Sequence, residues 1–257
     1  QFIPALGLQE EAGLTAYLVE LAAAARGERP PATVTVQRTA QLTVTDTFTF
    51  PTSRLPAPPT ELIGREHDIK TLCNRLQGHS GRLLTLVGPP GVGKTTLALA
   101  VGRQVESLFK HGAHFVALAA ISDPELVATT IANELELPDT GKQSPQARLI
   151  QSLRQQGMLL LLDNFEQIIA AAPLLATLLA ECPGVYLLVT SRERLHLRAE
   201  QRFPVRPLAL AYAVDLFVQR VQMMDPAFER SQENQLILEK ICQRLDCLPL
   251  AIELIAA

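Results

Sequence analysis

Between Leu62 and Val205 the chain alternates short, wholly apolar runs with longer stretches of helical spacing. The apolar runs are Leu83–Val87 (LLTLV), Phe115–Leu118, Met158–Leu162 (MLLLL) and Val185–Thr190 (VYLLVT). None shows the in-out alternation of a half-solvated strand, so each is expected to be a strand covered on both faces. The stretches between them predict helices over Ile69–Leu76, Thr95–Leu108, Pro124–Leu135 with Ser122 and Asp123 as capping residues, Gln146–Gln155 and Leu174–Glu181. Strand and helix taking turns in this way imply an α/β fold, a parallel sheet with helices on both faces. After Phe203–Val205 the strands stop. Ala213–Met223, Asn234–Leu245 and Pro249–Ala257 all carry helical spacing, which predicts a small all-helical subdomain after the sheet.

The first sixty residues read differently. Leu14–Ala25 (LTAYLVELAAAA) predicts a helix stopped by Gly27, Pro30 and Pro31, and the Thr-rich alternation of Ala32–Phe50 predicts one or two short strands or an extended linker. Pro51, Pro56, Pro58 and Pro59 then make a stiff connector. The expected organisation is a helical tail over 1–29, a Thr/Pro-rich linker over 30–60, a nucleotide-binding domain over 61–206 and a helical subdomain over 207–257. Gln1 is no natural start and Phe2–Leu8 lacks the features of a signal peptide, so the sequence reads as a piece of a longer chain.

Composition removes several classes. A net charge of −3 gives no basic excess of the kind that announces nucleic-acid binding. Cys73, Cys182, Cys242 and Cys247 form no C-x-x-C pair, which argues against zinc and a disulfide framework and fits a reduced, cytoplasmic setting. His111 and His114, three residues apart, have no carboxylate or thiolate with them. The apolar stretch Ile168–Ala180 is shorter than the roughly 18 residues of a membrane span and reads as a buried helix.

Gly88-Pro89-Pro90-Gly91-Val92-Gly93-Lys94-Thr95 carries the spacing G-x-x-x-x-G-K-T between an expected strand and an expected helix. In such a P-loop the glycines let backbone N–H groups turn toward a phosphate, the helix N-terminus adds its positive end, and Lys94 reaches the β- and γ-phosphates. Thr95 offers a hydroxyl to Mg²⁺ and Thr96 lies near the α-phosphate. Asp163, at the tip of its strand, suits either a water-mediated Mg²⁺ contact or a helix N-cap. Asn164 cannot take a proton from an attacking water, which leaves that task absent or moved to Glu166. Arg192, after Thr190-Ser191, stands where a γ-phosphate sensor would, or is an exposed arginine paired with Glu193 or Glu200.

Together, Leu62-Ile63-Gly64-Arg65-Glu66, the P-loop, LLLLDNFE, VTSR and Leu248-Pro249-Leu250-Ala251 resemble the nucleotide-binding module of the STAND class of ATPases, most of all its NB-ARC-like bacterial regulators. The resemblance covers about residues 60–257. It implies that Leu62, Ile63, Gly64 and Arg65 lie against the adenine and that Pro249, starting a helix of the second subdomain, contacts the nucleotide. Two positions depart from the pattern: Cys247 stands where a glycine usually precedes LPLA, removing a flexible cap and altering how the helical subdomain docks, and Asn164 replaces a frequent second acid. Leu14–Ala25 is similar to the tail of an upstream helix-turn-helix domain.

The resemblance implies an ATP/ADP switch with Mg²⁺: ADP-bound at rest, reorganised and self-associating on exchange for ATP, and slow in hydrolysis. DNA enters as a candidate partner only through an upstream domain. A turnover ATPase using Glu166 as base, or a transcription regulator whose nucleotide site is structural, are the alternative readings.

Overall fold

The computed structural model describes residues 53–57, 62–78, 81–138, 141 and 143–256, all within one compact unit, Thr49–Ala257. The helix expected at Leu14–Ala25 and the Thr-rich segment lie outside the described residues.

Five strands, β1 (Leu83–Val87), β2 (Ala113–Ala117), β3 (Met158–Asp163), β4 (Val185–Ser191) and β5 (Glu200–Pro204), form one parallel sheet in the order β2-β3-β4-β1-β5. Successive residues feed opposite faces. Leu160, Leu162, Leu187 and Val189 enter a core with α3 (Leu126–Glu134), α4 (Pro145–Leu153) and α5 (Ala172–Glu181). Leu159, Leu161 and Leu188 enter another with α1 (Glu66–Gln77) and α2 (Lys94–Val105). Burial on both faces is why β3 and β4 are apolar without interruption.

Beyond β5 come α6 (Leu210–Met224), α7 (Gln232–Arg244) and α8 (Pro249–Ala256). They build a third core around Val214, Phe217, Leu238, Cys242 and Ile252, against which Ile63 also packs. Ser231 caps α7 in a reciprocal box with Asn234. Among the described residues no helix is long and apolar enough to cross a membrane.

Several expectations are corrected. The helix expected from Pro124 starts at Leu126: the Asp123 carboxylate accepts from the Glu125 N–H, making a turn ahead of the helix rather than its cap. Ile168–Ala180 is not one helix. A 3₁₀ turn at Ile169–Ala171 precedes α5, and Pro173 sits in the first turn of α5, where its missing N–H is harmless. Thr95–Leu108 likewise divides into α2 and a 3₁₀ turn at Glu106–Leu108. The part of the connector that is described, 53–57, follows the sheet edge: Arg54 bridges His114 of β2 in parallel, donating its N–H to Ala113 O at 2.9 Å.

Candidate functional site

β1 ends at Val87 beside Ser191, the end of β4, and Gly88 N–H donates to Ser191 O at 3.3 Å. The P-loop therefore leaves the sheet beside the tip of β4, with β3 on the far side of β4. Gly93 has φ 92°, a left-handed conformation that turns the loop into α2 and that a side chain would oppose. Lys94, the first residue of α2, is buried, and its Nζ donates to Gly88 O at 2.9 Å and Pro89 O at 3.0 Å. The ammonium is thus held across the loop it must serve. Burial lowers its pKa, Glu166 raises it, Arg192 lowers it and Asp163 raises it, which places all three charges around Lys94.

Asp163 does not cap a helix. Its Oδ1 accepts from Thr95 Oγ1 at 2.7 Å and from Thr190 Oγ1 at 2.6 Å. Thr190 Oγ1 in turn accepts from Asn164 N–H at 3.0 Å, so one hydroxyl ties the tips of β3 and β4 together. Asn164 adopts φ 62° and carries the chain into a 3₁₀ turn, Phe165–Gln167, pinned by the fully buried Phe165.

Arg192 pairs with neither Glu193 nor Glu200. Its Nε donates to Glu166 Oε1 at 2.9 Å, while Glu200 accepts from Leu195 N–H. The Arg192 side chain is 57% exposed and the Glu166 side chain 11%. Glu166 Oε2 is buried and has no hydrogen-bond partner among the described residues.

Arg65 is nearly buried and acts as a staple. Nη2 donates to Val92 O at 3.0 Å and Arg206 O at 2.7 Å, and Nη1 to Asp68 Oδ2 at 3.0 Å, joining the P-loop to the segment between β5 and α6. Leu62, Ile63 and Arg65 line a cavity of about 400 Å³ together with Gly91, Val92, Gly93, Lys94, Thr95, Thr96, Asn164, Glu166, Arg192 and Pro249. Gly64 does not line it. A Cβ there would come within 2.4 Å of the Tyr212 ring of α6, so glycine is what lets the helical unit close on this segment. Gly88 and Asp163 lie beside the cavity, joined to it through Lys94 and Thr95.

The helical unit supplies the opposite wall: Leu208, Leu216, Arg220, Leu250 and Glu253 also face the cavity. Arg220 of α6 donates to Glu253 of α8. Leu250 N–H donates to Gly91 O at 3.1 Å, a main-chain bond from α8 to the P-loop. Cys247 keeps the left-handed conformation, φ 51°, in which glycine is at ease. Its N–H closes the end of α7 on Cys242 O at 2.9 Å, and its carbonyl accepts from Leu208 N–H at 3.1 Å. The turn before LPLA is therefore kept without its glycine.

Sequence reasoning missed Thr190, Leu208, Leu216, Arg220, Leu250 and Glu253. A hydroxyl at the tip of β4 was a readable signal for Thr190. The helical residues carry none, since their part comes only from how α6 and α8 fall against the loop.

The donor set suits a polyphosphate and a hard cation. Apolar walls from Leu62, Ile63, Leu208 and Leu216 meet a lysine-bearing loop at a helix N-terminus, and a hydroxyl stands 2.7 Å from a carboxylate.

Residues 75–197 match the AAA domain family. Over 200 residues the chain is 35% identical to an uncharacterized protein of Mycobacterium tuberculosis, covering 77% of this chain and 50% of that protein. It is 38% identical over 178 residues to an inferred HTH-type transcriptional regulator of the same organism, covering 68% of this chain and 20% of the regulator. The regulatory protein AfsR of Streptomyces griseus is 33% identical over 156 residues, or 56% of this chain and 15% of AfsR. The chain thus spans about half the length of the first of these relatives and far less of the other two. Among solved structures, a STAND protein of Pyrococcus horikoshii with a tetratricopeptide repeat sensor superposes with a TM-score of 0.53 at 14% identity, over 79% of this chain and 30% of that one. The ORC2 protein of Aeropyrum pernix, solved with ADPNP and ADP, gives 0.51 at 17%, over 78% and 69%. Those two likenesses concern the fold. Residues 75–197 form a P-loop nucleotide-binding domain of the AAA type, and the chain shares its fold with a STAND ATPase.

Proposed function

We propose that this chain is the ATP/ADP switch of a STAND-type signalling regulator. ADP sits between the sheet domain, 61–206, and the helical subdomain, 207–257, and holds them closed. Exchange for ATP reorganises their interface, and the full-length protein then self-associates. The observation that carries this reading is the shared cavity: one wall is the P-loop, the other is α6 and α8, and the Leu250–Gly91 bond closes one on the other. A ligand held by both walls resists their separation, which is what a switch needs.

The residues have these roles. Lys94 and the N–H groups of Gly91, Val92 and Gly93 hold the β-phosphate, with Gly88 giving the loop its turn, and Thr96 lies by the α-phosphate. Leu62, Ile63 and Pro249 enclose the base, with Arg65 and Gly64 setting that segment against the P-loop and Tyr212. Mg²⁺, held by Thr95 directly and by Asp163 through water, neutralises phosphate charge. Arg192 senses the γ-phosphate. A cytoplasmic location, and DNA as a partner of an upstream domain, accord with the similarity to regulators, one of them of the HTH type.

Hydrolysis is slow on this account, because Asn164 cannot act as a base and Glu166 is engaged by Arg192. A second reading, a turnover ATPase with Glu166 as base, draws on the buried, unpartnered Oε2 of Glu166 in the cavity wall. Phosphate release from ATP and Mg²⁺ separates them. The switch predicts less than one turnover per minute; many per minute would establish the ATPase.

A further inference from the structure

The cluster around Lys94 holds two carboxylates in different circumstances. Asp163 is occupied by the hydroxyls of Thr95 and Thr190. Glu166 accepts only from Arg192 among the described residues: one oxygen takes Nε at 2.9 Å, and the other is buried with no partner. The two residues come from the tips of neighbouring strands, Glu166 on the turn after β3 and Arg192 just past β4, and both face the cavity. The carboxylate is nearly buried and the guanidinium is more than half exposed. The arginine is thus the partner able to move, and the glutamate is fixed in place by the turn that the buried Phe165 anchors.

We propose that Glu166 sets the nucleotide preference of this site by holding Arg192 back from the γ-phosphate. This rests on the reading of Arg192 as the γ-phosphate sensor. To engage a third phosphate, Arg192 must leave Glu166. The nearly buried carboxylate then loses the one group that donates to it among the described residues, with only the charge of Lys94, itself bonded to the loop carbonyls, left nearby. A diphosphate demands no such exchange. The pair therefore counts against ATP and not against ADP, and it biases the site toward the ADP-bound state without contact between Glu166 and the nucleotide. Glu166 is a positioning residue here, acting through Arg192.

The test is equilibrium titration of the nucleotide-stripped 257-residue chain with ATP and with ADP, each with Mg²⁺, reading the ratio of the two dissociation constants. Glu166→Gln keeps the shape and removes the charge, and Glu166→Ala covers the case in which a buried amide unfolds the first variant. Either should shift the ratio toward ATP by about threefold to fivefold, the scale of an ion pair with one exposed partner. In an Arg192→Ala background the same substitutions should leave the ratio where it stands, which a purely structural role for Glu166 would not reproduce. If Arg192→Ala weakens ATP relative to ADP while both Glu166 variants leave the ratio unmoved, the proposal is overturned and the sensor reading survives. If Arg192→Ala leaves the ratio unchanged, both are overturned. A Glu166→Gln chain that loses phosphate release at an unaltered ratio makes Glu166 the base and also overturns the proposal.

Discussion

Leu250, at the start of α8, donates its N–H to the carbonyl of Gly91 in the P-loop, so the helical unit reads the phosphate loop through the main chain rather than through a side chain. Gly91 has φ 74°, and a Cβ there would stand 3.1 Å from Leu250 Cβ. Gly91→Ala therefore combines a left-handed alanine, roughly 1–2 kcal/mol, with pressure on α8. The expected result is faster ADP release by about tenfold, measured by stopped-flow with a fluorescent ADP. An unaltered rate would detach α8 from nucleotide retention.

Lys94 offers a second test. Its Nζ donates to two loop carbonyls, so Lys94→Ala loosens the P-loop. The cores on the two faces of the sheet, which do not include Lys94, are expected to keep the chain folded, as judged by circular dichroism. Binding of ADP and ATP alike should fall at least tenfold, since charge-assisted bonds to phosphate contribute about 1.5–3 kcal/mol each. In the full-length protein, a signal response that survives this change would favour the structural nucleotide site.

Thr190→Val removes the hydroxyl that binds Asp163 and accepts from Asn164, with little change of shape. It leaves the Asn164 N–H without its acceptor. A loss of about 1–3 kcal/mol in urea unfolding is expected, together with weaker dependence of ATP binding on Mg²⁺, because Asp163 loses one of the groups that orient it.

The acid limb of stability should follow His114. The ring is buried under the sheet edge, with Nε2 against His111 O at 2.8 Å and Nδ1 buried without a partner among the described residues. Burial lowers its pKa below 6.5, the bond to His111 O opposes this, and the charges of Arg54 and His111 lower it further. The unfolded chain therefore takes up a proton near pH 6.5 while the folded chain does not until lower pH. Stability from this group is complete above pH 6.5 and declines as pH falls from there toward the folded value. Urea midpoints between pH 7.5 and 5.5 should drop for the native chain and drop less for His114→Gln.

Much of the fold was legible because a parallel sheet buried on both faces writes its strands as unbroken apolar runs. β5 was read only at its end, Phe203–Val205, because an edge strand tolerates the polar Glu200, Gln201 and Arg202. The 3₁₀ break at Ile169–Ala171 was missed since apolar composition alone does not distinguish a helix from a tight turn. At the site, local motifs were readable. The Arg192–Glu166 pair, the Arg65 staple and the wall made by Arg220 and Glu253 were not, because each joins positions 26 to 141 residues apart.

Retention of a nucleotide between the two walls of this cavity is what the proposed switch requires. Its most direct measurement is the identity and amount of nucleotide released on denaturing the chain purified without added ligand. ADP at close to one equivalent, exchanging slowly, is expected. A chain that emerges empty and binds neither ADP nor ATP on titration with Mg²⁺ would contradict it.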